Sequence, residues 1–372
     1  MQKVRESGRP VVGCFPLYPP LELFHSMGLA PVVLWGLQDS VRDVPDADRH
    51  IQSYACSVAR RLAQLVLANG RELFDGIFFY NACDTLRNLP EILGEGLGGG
   101  AAPPMFRMHL PMTSAEDPAI SEYLKREITS LIHTLENAFG VRFSEQKFAA
   151  SVAVYARMRK LARRLEEAVA EGRMSFSSFC EALGEANFLI IEDQVALFQS
   201  RLASLAGAAL PDDASTRVVV SGILPPPPAI CRLLDEAGLR VSGNDIASGF
   251  RSYAHTPETW ADVGDYYLRF YRDHFPCTTL LYSADNRVPA VTNLVAERGA
   301  AGFVFVGEKF CEYEYFELPY LQARLQDAGI PVLSLELSID DAANVETFRT
   351  RIQAFAELLA DRTSGLLARE GA

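Results

Sequence analysis

The chain is short of several things at once. None of its seven cysteines forms a C-x-x-C pair, and their odd number and wide scatter show no disulfide framework. Cysteines spread in this way are buried and inert, ligate metal or do redox chemistry. Any metal site made from them has to be assembled by tertiary structure. No stretch reaches the roughly 18 uninterrupted apolar residues of a membrane span, and Met-Gln-Lys-Val-Arg-Glu-Ser at the start lacks the apolar core of a secretory signal. Positive charge is in deficit: 35 Lys and Arg against 47 Asp and Glu give a net charge of −12, which argues against nucleic acid or an anionic membrane as partner. Gly94, Gly96 and Gly98 to Gly100 are followed by no Lys-Ser/Thr, and Gly13 and Gly222 complete no dinucleotide fingerprint, so nucleotide binding is not expected at these glycines. Together these absences predict a soluble, cytoplasmic protein. What remains is 372 residues, 49% of them hydrophobic, enough for two or three domains with real cores.

The chain is organised around Phe74-Asp-Gly-Ile-Phe-Phe-Tyr-Asn-Ala-Cys83-Asp84. An apolar run, 76–80, has the length and aromatic content of a buried strand, and Cys83 follows it just before a helix-like segment, 85–93. Residues past the carboxyl end of a strand in an α/β sheet are where such folds bind ligands. The arrangement returns at Gly302-Phe-Val-Phe-Val-Gly-Glu-Lys-Phe-Cys311-Glu312.

In order, strands are expected at 10–14, 31–35, 76–80 and 105–110. A proline-opened helix with Gly28 as its C-terminal cap and a helix at 57–69 opened by Cys56 lie between them, which indicates a parallel sheet. From 114 to 205 the pattern turns helical, with apolar spacing of three to four over 122–137, 145–171 and 176–205, and Ser144 placed to cap the second of these. The α/β rhythm resumes with a strand at 217–222, a helix from Pro225–Pro228 to Gly238, a strand at 239–241 and a loop from Gly243 to Arg251. Strands at 302–306 and 331–335 and a helix at 345–360 follow. The expected fold is α/β, with two Rossmann-like (flavodoxin-like) parallel-sheet domains, 1–112 and 211–372, flanking a helical segment, 113–210.

Cys56, Cys83 and Cys311 each stand at an expected helix start, where the helix dipole and free backbone N–H groups favour a thiolate. Three such thiolates can hold one iron–sulfur cluster with one iron left open, which allows a Lewis-acid role. Each cysteine alone also reads as a small buried apolar residue.

Gln52-Ser-Tyr-Ala-Cys56-x3-Arg60, Phe74-Asp-Gly and Cys83-Asp84-x2-Arg87-Asn-Leu resemble the 2-hydroxyacyl-CoA dehydratase and benzoyl-CoA reductase family, and most nearly the C subunit of ATP-dependent benzoyl-CoA reductases. Pro19-Pro-Leu-Glu22-Leu-x3-Met-Gly28, Asn244-Asp245-x3-Gly249-x-Arg251, Lys309-Phe310-Cys311 and Gly329-Ile-Pro-Val-Leu-Ser-Leu-Glu336 extend the resemblance over nearly the whole chain. The resemblance implies one 4Fe-4S cluster per subunit, held by Cys56, Cys83 and Cys311. It implies pairing with a homologous second subunit and a separate ATP-hydrolysing iron–sulfur activator that supplies one electron at very low potential. The reaction implied is dehydration of a 2-hydroxyacyl-CoA through a ketyl radical, or reduction of an aromatic acyl-CoA ring, with a double-cubane (8Fe-9S) reductase or a non-catalytic relay subunit as alternatives. Relatives with the double cubane carry a cysteine in the loop after Asp245, where this chain has Ile246-Ala247-Ser248, although Cys14 and Cys277 fall where some relatives place cluster cysteines. The chain also begins almost at its first strand, without the helical lead common in the family.

Other candidates are open to two readings each. Glu22, at the first strand-to-helix turn, is either a proton donor or acceptor facing the cleft or a solvated carboxylate stabilised by the helix dipole. His25 is catalytic or an ordinary helix histidine. Arg87 and Arg251 bind CoA phosphates, offset cluster charge or make salt bridges. Asp84 is expected to cap its helix.

Overall fold

Short apolar strands that alternate with amphipathic helices can bury both faces only in a parallel sheet with its crossover helices packed on it, and the chain does this twice. A computed structural model describes residues 1–15, 17–35, 40–97, 102–113, 117–207, 215–280, 284–338 and 345–370. The first sheet has the order β2-β1-β3-β4 and comprises β1 (Val11–Cys14), β2 (Ala30–Val33), β3 (Gly76–Tyr80) and β4 (Met105–Met108). After a one-turn helix α1 (Gln2–Glu6), its helices are α2 (Leu21–Ser26), α3 (Ser57–Leu73) and α4 (Asp84–Gly96). The register pairs Gly13 with Ile77 and Phe78 with Phe106, all strands running parallel.

Four helices follow: α5 (Pro118–Phe139), α6 (Glu145–Ala170), α7 (Phe176–Ala186) and α8 (Ile191–Ser204). Gly140, at φ 66, closes α5 in the left-handed conformation that a side chain would strain, and Ser144 Oγ accepts the Lys147 N–H at 3.5 Å to start α6 as expected. The single helix expected over 176–205 is two. Between α7 and α8 the chain tightens into three-residue turns, with Leu189 N–H donating to Ala186 O at 3.0 Å, and Gln194 caps Leu189 O at 2.9 Å. Leu189 and Ile191 are thereby buried, a gain that continuous helical spacing did not register.

The second sheet has the order β6-β5-β7-β8, from β5 (Thr216–Gly222), β6 (Leu239–Ile246), β7 (Gly302–Glu308) and β8 (Val332–Leu337). Its helices are α9 (Pro228–Glu236), α10 (Phe250–Tyr253), α11 (Val263–Arg272), α12 (Ala284–Glu297), α13 (Glu312–Asp327) and α14 (Glu346–Glu370). Both sheets therefore reverse strand order at the same place, between their first and third strands, which makes that edge the ligand position in each. Gly222 leaves β5 so close to β7 that a Cβ there would lie 2.4 Å from Val306 O, so the approach of the two strands at this edge depends on glycine. The helical segment divides between two cores: α5 packs with β4 and α11, and the C-terminal part of α6 with α7 and α8 packs beside the second sheet.

Of the loop expected at 243–251, the first part is instead the end of β6, which stays in register with β5 through Ile246 beyond an irregularity at Val218/Val219, and the last two residues open α10 after a turn. Asn-Asp pairs favour turns in isolation, but here both side chains find buried partners. Asn244 donates to Glu166 Oε1 from its N–H at 3.1 Å and its Nδ2 at 2.8 Å. Burial pushes the Glu166 carboxyl up to about 7 from 4.5. Because the folded value lies above the unfolded one, its contribution to stability is complete below pH 4.5 and is lost as pH rises through 7. Glu166→Gln is expected to flatten the fall in stability between those values, measured by urea unfolding at a series of pH; an unchanged slope would exclude Glu166 as its source.

Candidate functional site

Cys83, Cys311 and Cys56 are each the residue that opens a helix: α4, α13 and α3. The first two occupy matching places in the two halves, just past the third strand of each sheet. Asn81 holds the end of β3 against the chain beyond β4 by accepting the Leu110 N–H at 2.8 Å and donating to Leu110 O at 3.0 Å. Cys83 itself caps α4, its Sγ accepting the Leu86 N–H at 3.4 Å. Asp84, expected to be the cap, lies inside the first turn and pairs with Arg87 at 3.2 Å on the exposed surface. Before Cys311 the backbone turns through Phe310 at φ 63, a conformation rare for a bulky side chain, and leaves the ring 56% exposed.

All three thiols are free, half-buried and packed against one core, to which residues of the first half (Cys56, Cys83) and of the second (Cys311) both contribute. Their charges reach one another. Burial, with the charge of Cys83, pushes the Cys56 thiol up to about 12. Burial, then Glu314, Cys56 and Cys83, push Cys311 well above its ordinary range, and burial raises Cys83. Among the described residues no three His, Cys, Asp or Glu side chains close on a single ion. A cluster spreads its ligands over several irons, so its thiolates stand farther apart than those of one ion.

Two residues that sequence reading missed complete the surroundings. Glu308, the last residue of β7, accepts a very short hydrogen bond from Ser57 Oγ in the first turn of α3, and so ties the Cys56 helix to the second sheet. The Glu308 N–H in turn donates to Glu314 Oε2 at 3.3 Å. Both carboxylates are buried, and burial, with the charge of Glu308, pushes Glu314 up to about 8. The only sequence signal was a pair of acids flanking Cys311, an ordinary pattern at a strand end and a helix start.

The remaining candidates are elsewhere. Glu22 is fully buried rather than solvated: Arg159 Nη2 lies 2.5 Å from Oε1, Tyr266 OH donates to Oε1 at 2.9 Å and Tyr267 OH to Oε2 at 3.3 Å. Those contacts pin α2 to α6 and α11. His25 bridges Ser151 Oγ, at 2.7 Å, and Glu192 Oε1, at 3.1 Å. Arg251 is 2% exposed and takes Asp245 from Nε at 2.8 Å and Nη2 at 3.0 Å, while Arg287 Nη2 meets the same carboxylate at 2.6 Å. The two guanidinium groups hold Asp245 well below the usual carboxylate range despite its burial. Arg251 Nη1 also donates to Cys277 Sγ at 3.2 Å, Tyr18 OH donates to it at 3.1 Å, and these groups lower a fully buried thiol. Cys14 is buried at the end of β1, and burial raises its thiol far. Cys180 of α7 and Cys231 of α9 touch in the other core.

Two flavodoxin-ordered parallel sheets, with three half-buried thiols at helix starts of the two halves, define an α/β protein of two Rossmann-like domains. The family model described as 2-hydroxyglutaryl-CoA dehydratase, D-component, matches residues 16–359, and the chain belongs to that family. It is 24% identical over 365 residues to the (R)-phenyllactyl-CoA dehydratase beta subunit of Clostridium sporogenes, covering 96% of this chain and 94% of that one. It is 25% identical to the beta subunit of (R)-2-hydroxyglutaryl-CoA dehydratase from Acidaminococcus fermentans, over 96% of this chain and 95% of the relative. To the C subunit of benzoyl-CoA reductase from Thauera aromatica it is 22% identical, over 95% of this chain and 92% of the relative. Among the described residues no helix is long and apolar enough to cross a membrane.

Proposed function

We propose that this chain is the iron–sulfur subunit of a radical acyl-CoA enzyme, with a 4Fe-4S cluster held by Cys56, Cys83 and Cys311. The observation that carries the reading is the convergence of three free thiols, each at a helix start and within reach of the others' charge, from two separate sheets. The donor set fits the group. Three thiolates neutralise iron, and the ends of α3, α4 and α13 offer backbone N–H groups to an anionic cluster. When bound, the cluster supplies one-electron transfer at low potential. The protein's own part is to hold the three sulfurs at fixed helix ends, to exclude water with the surrounding core, and to keep Glu308 and Glu314 as buried carboxyls at its edge. Glu22 belongs to this reading only as a group acting from inside its ion pair with Arg159, which fixes α2 in place. That the relatives are named as subunits of acyl-CoA dehydratases and a reductase supports a partner subunit and an acyl-CoA substrate; a homologous second subunit and an ATP-hydrolysing activator are part of the same proposal.

Iron and acid-labile sulfide assays on anaerobically purified chain test the reading. About four irons per chain is the expected result, and about eight would replace it with the double cubane. Protein that holds no iron after anaerobic reconstitution would overturn both.

A further inference from the structure

Two of the seven cysteines stand apart from the cluster site. Cys180 of α7 and Cys231 of α9 pack in the core of the second sheet, whereas Cys56, Cys83 and Cys311 all pack against the other core. Both thiols are free, and helix α7 lies against α9. A single buried cysteine is an ordinary small apolar residue. Two whose sulfurs meet are one oxidation away from a covalent bond.

Three features fit the pair for that bond. The first is direction. Cys231 Sγ donates its proton to Pro226 O at 3.5 Å, and the Cys180 thiol donates to Cys231 Sγ, so the two sulfurs meet along one chain of hydrogen bonds. The second is access from one side. Cys231 is 1% exposed, while Cys180 is part-exposed and lines a cavity of about 520 Å³ between α7 and the prolines 225–228. The third is the medium. Ile230, Leu233 and Leu234 share the core with Cys231, and burial raises the Cys180 thiol well above its ordinary range. A disulfide carries no charge, so burial that disfavours the attacking thiolate slows the reaction without penalising its product.

We propose that Cys180 and Cys231 form a reversible disulfide by exchange with a low-molecular-weight disulfide. Cys180 Sγ, as thiolate, attacks one sulfur of the reagent and expels a first small thiol. Cys231 Sγ then loses its proton, attacks Cys180 Sγ and expels a second. The two cysteines together give up two electrons and two protons, and the reagent leaves as two thiols. The bond ties the helical segment to the second half of the chain, apart from the cysteines of the cluster site, and an added dithiol reverses it.

Anaerobically purified full-length chain is incubated with 2-hydroxyethyl disulfide, quenched in acid, alkylated and digested without reduction. Mass spectrometry is expected to find a new link joining the Cys180 and Cys231 peptides, with two 2-mercaptoethanol molecules released for each link and iron content unchanged. The rate should rise about tenfold per pH unit from neutral to mildly alkaline pH, following the thiolate fraction of Cys180. The linked chain should unfold at higher urea than the reduced one, because the bond closes a long loop, and dithiothreitol should restore the original midpoint. Single variants separate the two roles: Cys231→Ser should stop at a mixed disulfide on Cys180, and Cys180→Ser should leave Cys231 unreacted. A mixed disulfide that persists on Cys180 in the unaltered chain would show that the second sulfur does not reach it and would overturn the proposal. So would a link from Cys180 or Cys231 to another cysteine, reaction of Cys231 in Cys180→Ser, or no reaction of either thiol at alkaline pH.

Discussion

Serine at Cys56, Cys83 or Cys311, introduced singly, is expected to leave anaerobically purified chain with essentially no iron. The reason is geometric. Three thiols come from two halves of the molecule, and removing one leaves two ligands whose neighbours on the missing side are carboxyls and apolar core. The thiols are pushed up by burial and by one another, Cys56 to about 12, so the unliganded chain keeps them protonated at neutral pH. Loading must then release protons, and iron uptake should rise with pH through the neutral range. Cys180→Ser and Cys231→Ser, in the core of the second sheet, should retain full iron. Loss of iron from Cys180→Ser would show that the three-cysteine assignment is wrong. A halved iron content in Cys14→Ser or Cys277→Ser would point to the double cubane.

The largest loss of stability is expected from Asp245→Ala. Asp245 is fully buried, and Arg251 and Arg287, each 2% exposed, share its carboxylate. Removing it leaves two guanidinium groups in the interior, Arg287 with Glu317 as its remaining carboxylate partner at 2.6 Å and Arg251 with the Cys277 sulfur. Breaking a buried pair on one side costs about 3–5 kcal/mol, and here one residue serves two cations. Urea unfolding should show a loss at or above the upper end of that range. Since the native environment lowers the Asp245 pKa, its contribution is complete above the ordinary value of 3.8 and is lost progressively as pH falls below that toward the lower folded value. A loss under about 1 kcal/mol would mean that the guanidinium groups find water or new partners when Asp245 goes.

How much of this could be read beforehand depended on how local the information was. The run 76–80 followed by Cys83 is a strand, a break and a helix start whatever surrounds it, and the structure has β3 ending at Tyr80 and α4 opening at Cys83. Ser144 as a cap was equally plain, because a cap depends on the next three residues alone. Asn244-Asp245 misled for the converse reason: its turn preference was overruled by Glu166, 78 residues away, and by Arg287, 42 residues away.

Composition and local pattern were enough to determine an acidic α/β chain, a helical middle, and three cysteines standing at helix starts, since strand length, helical spacing and capping act over a few residues. Only the tertiary structure decided that Cys311 packs against the same core as Cys56 and Cys83, that Glu308 reaches across to the Cys56 helix, and that Glu22 is pinned by Arg159 rather than solvated. Each of these depends on which distant groups share a buried volume, and there burial and charge act through space and not along the chain.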